Sequence, residues 1–327
     1  MNLVTMHSGR TFYADEKTSL LNAAEKEGIS LPYSCRNGRC SSCICRISGP
    51  TIINIEELGL SDAQKKDGWK LACARSAIGD IFLDIEDLSD VYLPKPGIFP
   101  AKIDKIEILT PDILKLCLRL HPSAKFKFLE GQHINLIAPN GITRSYSLAK
   151  YCDGQILELH IKNVTNGQMS EYLFKKAKIG DLLRIMGPYG SFILHETSKI
   201  DLIFLATGTG IAPIKAMLES IEQMPKELTP NSVKVYWGMR SEKDLYWKPE
   251  EKLTGLHFIP VLSRATDSWL GSRGYVQDIM IQNLESIKNI KIYSCGSNEM
   301  IQAAKSKLSK SGLSEKNFYS DAFVATN

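Results

Sequence analysis

The chain has 327 residues, 43% hydrophobic and 23% charged, which suits two or three packed domains and excludes a mainly disordered chain. Its formal charge of +4 is too mild to point to nucleic acid, and no apolar run approaches the ~20 residues that a membrane span needs. With neither a basic nor an apolar leader at the N-terminus, the eight cysteines are expected in a reducing, cytoplasmic setting, where clustered thiols mean metal or catalysis before disulfides.

In chain order, Leu3–Met6 and Thr11–Tyr13 read as short strands around a Ser8-Gly9 turn, and Thr18–Glu27 as a helix ended by Gly28. Cys35, Cys40 and Cys43 follow in a Cys-x4-Cys-x2-Cys pattern, and Cys73 comes after twenty-nine intervening residues. This is the spacing of plant-type [2Fe–2S] ferredoxins: a loop wraps two irons and the last thiolate arrives from elsewhere. Gly38, Ser41 and Ser42 are small enough to let backbone N–H groups approach the sulfides, although Ser41 stands where ferredoxins commonly have glycine. A structural zinc site is the competing reading of the four thiolates, and Cys45 reads as a spare thiol on a strand over Ile44–Ile47.

Residues 1–93 hold ten Lys/Arg and thirteen Asp/Glu, a net of −3, which leaves +7 for the rest. Pro94, Pro96 and Pro100 favour extended backbone, so residues 94–98 read as a linker. Short alternating stretches then run through Ala101–Ile108, Ile113–Leu120, His133–Ile137, Ser145–Ala149 and Ile156–Val164, the pattern of a small antiparallel barrel over 99–196. From 197 to 327 the pattern changes to strands alternating with helices. Leu202–Ala206 is a continuous apolar strand, followed by Thr207-Gly208-Thr209-Gly210 and a helix through about Ile221. A Gly-rich turn between strand and helix offers N–H groups and the positive helix end to a pyrophosphate. Val233–Trp237, His257–Leu262 and Lys291–Cys295 supply further strands. Arg240, Ser263 and Arg264 lie just past strand ends, where adenosine would sit; Arg264 suits a 2′-phosphate, Glu242 and Asp244 a free ribose.

Several of these stretches resemble the ferredoxin–NADP reductase superfamily. Arg144-Ser145-Tyr146-Ser147 resembles its Arg-x-Tyr-Ser motif, Gly167-Gln168-Met169-Ser170 its second flavin-phosphate element, and Gly187-Pro188-Tyr189-Gly190-Ser191-Phe192 the turn that closes its barrel. Cys295-Gly296-Ser297 is similar to its Cys-Gly-Pro stretch, with serine in place of proline, and Pro213 stands where the family also has proline. The resemblance implies FAD rather than FMN, with Arg144 on the pyrophosphate, Tyr146 against the isoalloxazine and Ser147 near flavin N5. Gly167 and Ser170, with Lys162 just before them, would hold FAD phosphate. Gly208, Thr209 and Gly210 would take the NADH pyrophosphate, with NADPH as the alternative. Cys295 and Gly296 would flank the nicotinamide, and Phe323 would cover the flavin until nicotinamide displaces it. Ser147 and Cys295 are thus the residues expected at the reacting atoms.

The implied architecture is an N-terminal β-grasp ferredoxin domain, an antiparallel β-barrel FAD domain and a doubly wound parallel-sheet NAD domain. The implied activity is electron transfer from NADH through FAD and the [2Fe–2S] cluster to a partner protein, by a monomer that binds no nucleic acid or membrane. Arg144–Ala149, Tyr293–Ser297 and 318–324 are similar to reductases that serve a pyridoxamine-phosphate dehydrase in 3,6-dideoxyhexose synthesis. Reductase components of mono- and dioxygenases share the domain order and give the second reading; a zinc-stabilised binding module is the third. Asp80, Asp84, Glu86, Asp87 and Asp90 are candidates for docking a basic partner, or an ordinary solvated face.

Overall fold

A computed structural model describes residues 1–152, 155–250, 253 and 255–323. The chain divides into two compact units. The first holds residues 1–93 together with Gly190–Phe192 and the segment from Tyr319; the second holds Pro94–Tyr189 and Ile193–Phe318.

Unit 1 is built on strands β1 (Asn2–Met6), β2 (Thr11–Ala14), β3 (Ile44–Ser48), β4 (Thr51–Ile53), β5 (Trp69–Leu71), β6 (Arg75–Ala77) and β7 (Ile81–Asp84). Five of them form a mixed sheet in the order β2-β1-β7-β3-β5, in which β1 and β7 run parallel, while β4 and β6 pair separately. Helix α1 (Leu20–Lys26) starts two residues later than the apolar pattern suggests, because the Ser19 hydroxyl caps it by accepting the Asn22 N–H. Its Leu20, Leu21, Ala23 and Ala24 pack with Val4, Phe12, Leu71 and Leu83 in one core that also includes Cys43 and Cys73. A one-turn helix, α2 (Asp62–Lys66), precedes β5 and opens with a Ser61–Gln64 capping box.

In unit 2, β8 (Gly97–Thr110), β9 (Ile113–Leu120), β10 (His133–Ile137), β11 (Thr143–Cys152), β12 (Ile156–Lys162) and β13 (Leu182–Tyr189) close a six-stranded barrel. The period-2 pattern is clearest in β9, where Leu114, Leu116, Leu118 and Leu120 are all buried in its core. The expected linker over 94–98 overlaps the barrel: β8 begins at Gly97, and Pro100 lies opposite Arg184 of β13. Pro100 has no N–H to give, so it fits only where the ladder does not need that donor. The helix expected after Gly167 is split into one α-turn, α3 (Gln168–Glu171), and a wider turn over Tyr172–Lys176.

The rest of the chain adds β14 (Asp201–Thr207), α4 (Ile211–Glu222), β15 (Ser232–Met239), β16 (Leu256–Leu262), β17 (Ser272–Arg273), α5 (Val276–Gln282), β18 (Ile290–Gly296), α6 (Asn298–Lys310) and β19 (Phe318–Ala322). The sheet order is β17-β16-β15-β14-β18-β19, with β14 parallel to both β15 and β18. Leu202–Ala206 are buried on both faces of β14, as a central parallel strand requires. The chain leaves β14 towards β15 on one side and returns as β18 on the other. A crevice therefore opens at the carboxyl ends of β14 and β18, where such sheets bind ligands.

Candidate functional site

The cysteine loop of unit 1 turns its sulfurs inward and its N–H groups towards them. Cys35 Sγ accepts from Cys40 N–H at 3.3 Å and Asn37 N–H at 3.5 Å, and Cys40 Sγ accepts from Cys35 N–H at 3.5 Å. The thiols engage in pairs. The contact with Cys40, helped by the N–H groups, brings the Cys35 thiol down to about 6 despite its burial, and pushes Cys40 up. Cys43 is raised by Cys73 in the same way, and Cys73 is lowered. Four thiols facing two by two, with N–H donors aimed at sulfur, fit a two-iron cluster in which each iron takes two thiolates. Cys45 lies apart from these pairs: its Sγ contacts the Lys70 carbonyl and burial pushes its thiol up.

Residues 56–59 press on this loop, a contact with no signal in the motif. A Cβ on Gly59 would stand 2.1 Å from the Cys40 carbonyl oxygen, and one on Gly38, at φ +75°, 2.3 Å from that of Glu56. Gly59 N–H donates to the Gly38 carbonyl at 2.7 Å. The segment is anchored by the buried Glu57 carboxylate, which accepts from Leu71 N–H at 2.7 Å and from Arg75 Nε and Nη2 at 2.9 and 2.8 Å. On the other flank of Cys35, Tyr33 N–H donates to Ser191 Oγ at 2.7 Å and the Ser34 hydroxyl to Asp321 Oδ1 at 2.6 Å. Ser41 is buried, so a serine is accommodated at that position. Asp80, Asp87 and Asp90 of the acidic docking candidates are engaged within the unit. Asp80 accepts from Leu3 N–H, while Asp87 and Asp90 both pair with Arg10, at 3.0 and 2.6 Å.

In unit 2, β11 carries Arg144, Tyr146 and Ser147 opposite Leu136, Ile134 and His133 of β10. Alternation puts Arg144 and Tyr146 on one side of the strand and Ser147 on the other. Tyr146 lies against the barrel core, where burial pushes its phenol up, and Ser147 is buried. Arg144 donates to its neighbour's carbonyl, Thr143 O, at 2.8 Å. Lys162 ends β12 and is exposed, while the buried Ser170 accepts Val164 N–H at 2.9 Å, shaping the turn that holds Gly167.

The glycine turn meets the end of β18 in backbone contact. A Cβ on Gly210 would fall 2.2 Å from the Cys295 carbonyl oxygen, and one on Gly296, at φ +137°, 2.2 Å from Thr207 Oγ1. Gly208 is different: its φ is +56°, and a Cβ there would meet nothing within 4 Å. Two glycines thus pack backbone against backbone, and the third leaves open space beside the turn. Ser297, standing where proline was expected, donates its N–H to Thr207 Oγ1 at 3.0 Å and caps α6 by accepting Met300 N–H at 3.3 Å. Arg240 and Arg264 are brought side by side by the Arg264 N–H to Arg240 O bond at 2.7 Å, beside Ser263, whose N–H bonds Met239 O. Asp244 is turned onto Ser241, accepting from its N–H and hydroxyl, which leaves Glu242 as the exposed carboxylate there. Phe323 follows β19 and is 40% exposed. Among the described residues no helix is long and apolar enough to cross a membrane.

Three family models match in sequence: a 2Fe-2S iron-sulfur cluster binding domain over residues 4–77, an oxidoreductase FAD-binding domain over 100–193, and an oxidoreductase NAD-binding domain over 204–306. The chain is 35% identical to the CDP-6-deoxy-L-threo-D-glycero-4-hexulose-3-dehydrase reductase of Yersinia pestis, covering 99% of this chain and 98% of that one. It is 29% identical to the ferredoxin–NAD(P)+ reductase component of the naphthalene 1,2-dioxygenase system of Pseudomonas putida, over 99% and 98% of the two chains. In structure it is similar to the Amycolatopsis cytochrome P450 reductase GcoB, with a TM-score of 0.74, 26% identity and 99% of both chains covered.

Proposed function

Because the chain belongs to the three-domain [2Fe–2S], FAD and NAD reductases of the ferredoxin–NADP reductase superfamily, and is an NAD(P)H-dependent electron-transfer enzyme, we propose that its acceptor is a pyridoxamine-phosphate dehydrase acting on a nucleotide-linked deoxyhexulose. The observation that carries this reading is the 35% identity to a dehydrase reductase along almost the whole of both chains. An oxygenase component is the second reading, favoured by the 29% identity to the naphthalene dioxygenase reductase over the same span. The protein would act as a monomer in the cytoplasm, where thiolate ligands stay reduced.

When bound, the nicotinamide supplies a hydride, the flavin divides the electron pair, and the cluster carries electrons one at a time. The residues described above suit that task. Cys35, Cys40, Cys43 and Cys73 would ligate the irons, and the N–H groups of Asn37 and Cys40 would tune them. Arg144 would clamp the FAD pyrophosphate and Tyr146 cover the ring, with Gly167, Ser170 and Lys162 at the second phosphate site. The space above Gly208 would take the dinucleotide pyrophosphate, with Thr209 and Gly210 behind it. Ser147 and Cys295, both buried, would line the reacting atoms, and Gly296 would keep that wall flat. Arg240, Ser263 and Arg264 would hold the adenosine end; the exposed Glu242 beside them favours NADH over NADPH.

An anaerobic visible spectrum before and after NADH tests the electron path. Flavin bands near ~450 nm over a broad iron–sulfur absorption should both bleach. A colourless, zinc-containing protein would overturn the reading. Parallel assays with a purified dehydrase and a purified oxygenase then decide the acceptor.

A further inference from the structure

A chain of polar and aromatic contacts runs from the glycine turn to β11. It begins at the glycine turn, where Trp237 Nε1–H donates to the Gly208 carbonyl at 2.9 Å. The Trp237 ring meets the Tyr246 ring edge to face, with centroids 5.1 Å apart. The Tyr246 hydroxyl lies 3.2 Å from His160 Nδ1, and His160 Nε2 lies 2.9 Å from Glu158 Oε1. Lys215 Nζ is 3.2 Å from the same Glu158 oxygen, 2.9 Å from Glu219 Oε1 and 3.4 Å from the Ala149 carbonyl. Ala149 is two residues beyond Ser147 on β11. The chain of contacts therefore joins the turn expected to hold the dinucleotide to the strand expected to hold the flavin, through β15, β12 and α4.

The polarity of each link is fixed. Burial alone would raise the Glu158 carboxyl, yet the hydrogen bonds from His160 and Lys215 hold it at about 2, so it accepts only. Burial keeps His160 neutral despite Glu158. Its single proton must then sit on Nε2, facing the carboxylate, which leaves Nδ1 to accept from Tyr246. Burial also keeps the Tyr246 phenol protonated. These side chains line a cavity of about 530 Å³ with Lys150 and Trp247, and the contacts branch at Lys215 and at Glu219, which also accepts from Lys150 Nζ at 3.3 Å.

We propose that Tyr246, His160, Glu158 and Lys215 are positioning residues that set the distance between the glycine turn and the flavin-facing strand, and so the approach of nicotinamide to flavin. A network in which the buried His160 and Lys215 bond the half-buried Glu158 and Tyr246 favours one arrangement, and removing a member leaves its neighbours short of a partner, so the elements it joins shift. Hydride transfer is sensitive to such shifts, since ~1 Å of misplacement can cost ~100-fold in rate. The proposal rests on the NADH-to-flavin reading above.

The test uses the oxidised holoenzyme and three variants, Lys215→Met, its conservative control Lys215→Arg, and Tyr246→Phe. Stopped-flow bleaching of bound flavin at saturating NADH should slow about ten-fold per bound FAD in Lys215→Met, with KM changed less than about two-fold, and Lys215→Arg should recover part of the rate. Tyr246→Phe keeps the ring against Trp237 and should slow bleaching by a smaller factor; it carries the kinetic test should Lys215→Met not fold. Nitrogen-15 NMR of His160 supplies a readout independent of turnover. It should show the Nε2–H tautomer, with an Nδ1 shift that moves in Tyr246→Phe. Unchanged rates per bound flavin in both Lys215→Met and Tyr246→Phe, losses that merely follow flavin loss, or an Nδ1–H tautomer would each overturn the proposal. A wild-type protein that NADH does not bleach would instead overturn the parent reading, and the tautomer would still decide whether the network is wired as described.

Discussion

Gly210→Ala isolates the contact on which the dinucleotide crevice depends. Gly210 has φ −60° and ψ −12°, a conformation open to any residue, so the substitution carries no backbone strain. Space is the obstacle. The new Cβ would lie 2.2 Å from Cys295 O, 2.6 Å from Cys295 C and 2.9 Å from Gly296 N, where ordinary contact begins at 3.4 Å. The obstructing atoms are backbone of β18, held in register with β14 through the Ala206–Cys295 pair, so no side chain can swing aside. The turn and the strand end must part by about 1 Å, with an overpacking cost of about 1–3 kcal/mol and, for a near-attack geometry, a rate loss of about 100-fold. Stopped-flow bleaching at saturating NADH should show that loss, while dithionite still reduces the cluster in unit 1. Gly208→Ala gives the contrast. Its Cβ meets no protein atom, so the expected costs are about 1–2 kcal/mol of left-handed strain and a raised KM for NADH. A Gly210→Ala protein with the wild-type bleaching rate, or a Gly208→Ala protein with the wild-type KM, would refute the reasoning.

Three further outcomes are expected. Glu57→Ala leaves the Arg75 guanidinium and Leu71 N–H facing a void, so unit 1 should lose about 3–5 kcal/mol in denaturant titration and release its cluster; an unchanged midpoint would count against the anchoring role. Burial, reinforced by Lys291, lowers His195 from 6.5 to about 4, so below pH 6.5 the unfolded chain takes up a proton that the folded chain refuses. Stability should therefore fall by up to about 3 kcal/mol between pH 6.5 and 4, and His195→Gln should remove that part of the slope in urea titrations at several pH values. With Asp87 and Asp90 both paired to Arg10, raising salt from about 50 to 300 mM should slow electron delivery less than about three-fold, and a ten-fold drop would restore the acidic face as the docking element.

Much of the fold was legible because its signals are local. The period-2 burial of β9, the continuous apolar run of β14 and the Gly-rich turn after it each report on their own neighbours, and the strands lie where the patterns put them. The departures come from tertiary demand. Gly97–Pro100 joins the barrel because β13 offers it a partner, which outweighs proline's local preference for a linker. The helix after Gly167 breaks into two turns although nothing in Gln168–Lys176 forbids a regular helix; the buried Ser170 instead spends its hydroxyl on Val164 N–H.

The site divides along the same line. Ligands for a cluster and turns for a phosphate are spelled out by spacing, since their chemistry requires groups close together in the chain. What holds them in place is not. Gly59 looks like any loop glycine until it is seen against the Cys40 carbonyl, and Glu57 like any surface acid until Arg75 and Leu71 reach it. Lys215 lies buried among apolar residues of α4, where a lysine is costly, and that is a signal for the network it joins. Glu219, four residues on along α4, is a match the sequence offers, whereas Glu158 and Ala149 come from β12 and β11 and only the folded chain shows them. A buried lysine on an apolar stripe is therefore a reason to expect an acidic partner on the packed neighbour. Here that neighbour is the strand next to the one that bears Ser147, which makes the ion pair a determinant of geometry at the reacting atoms as well as of stability.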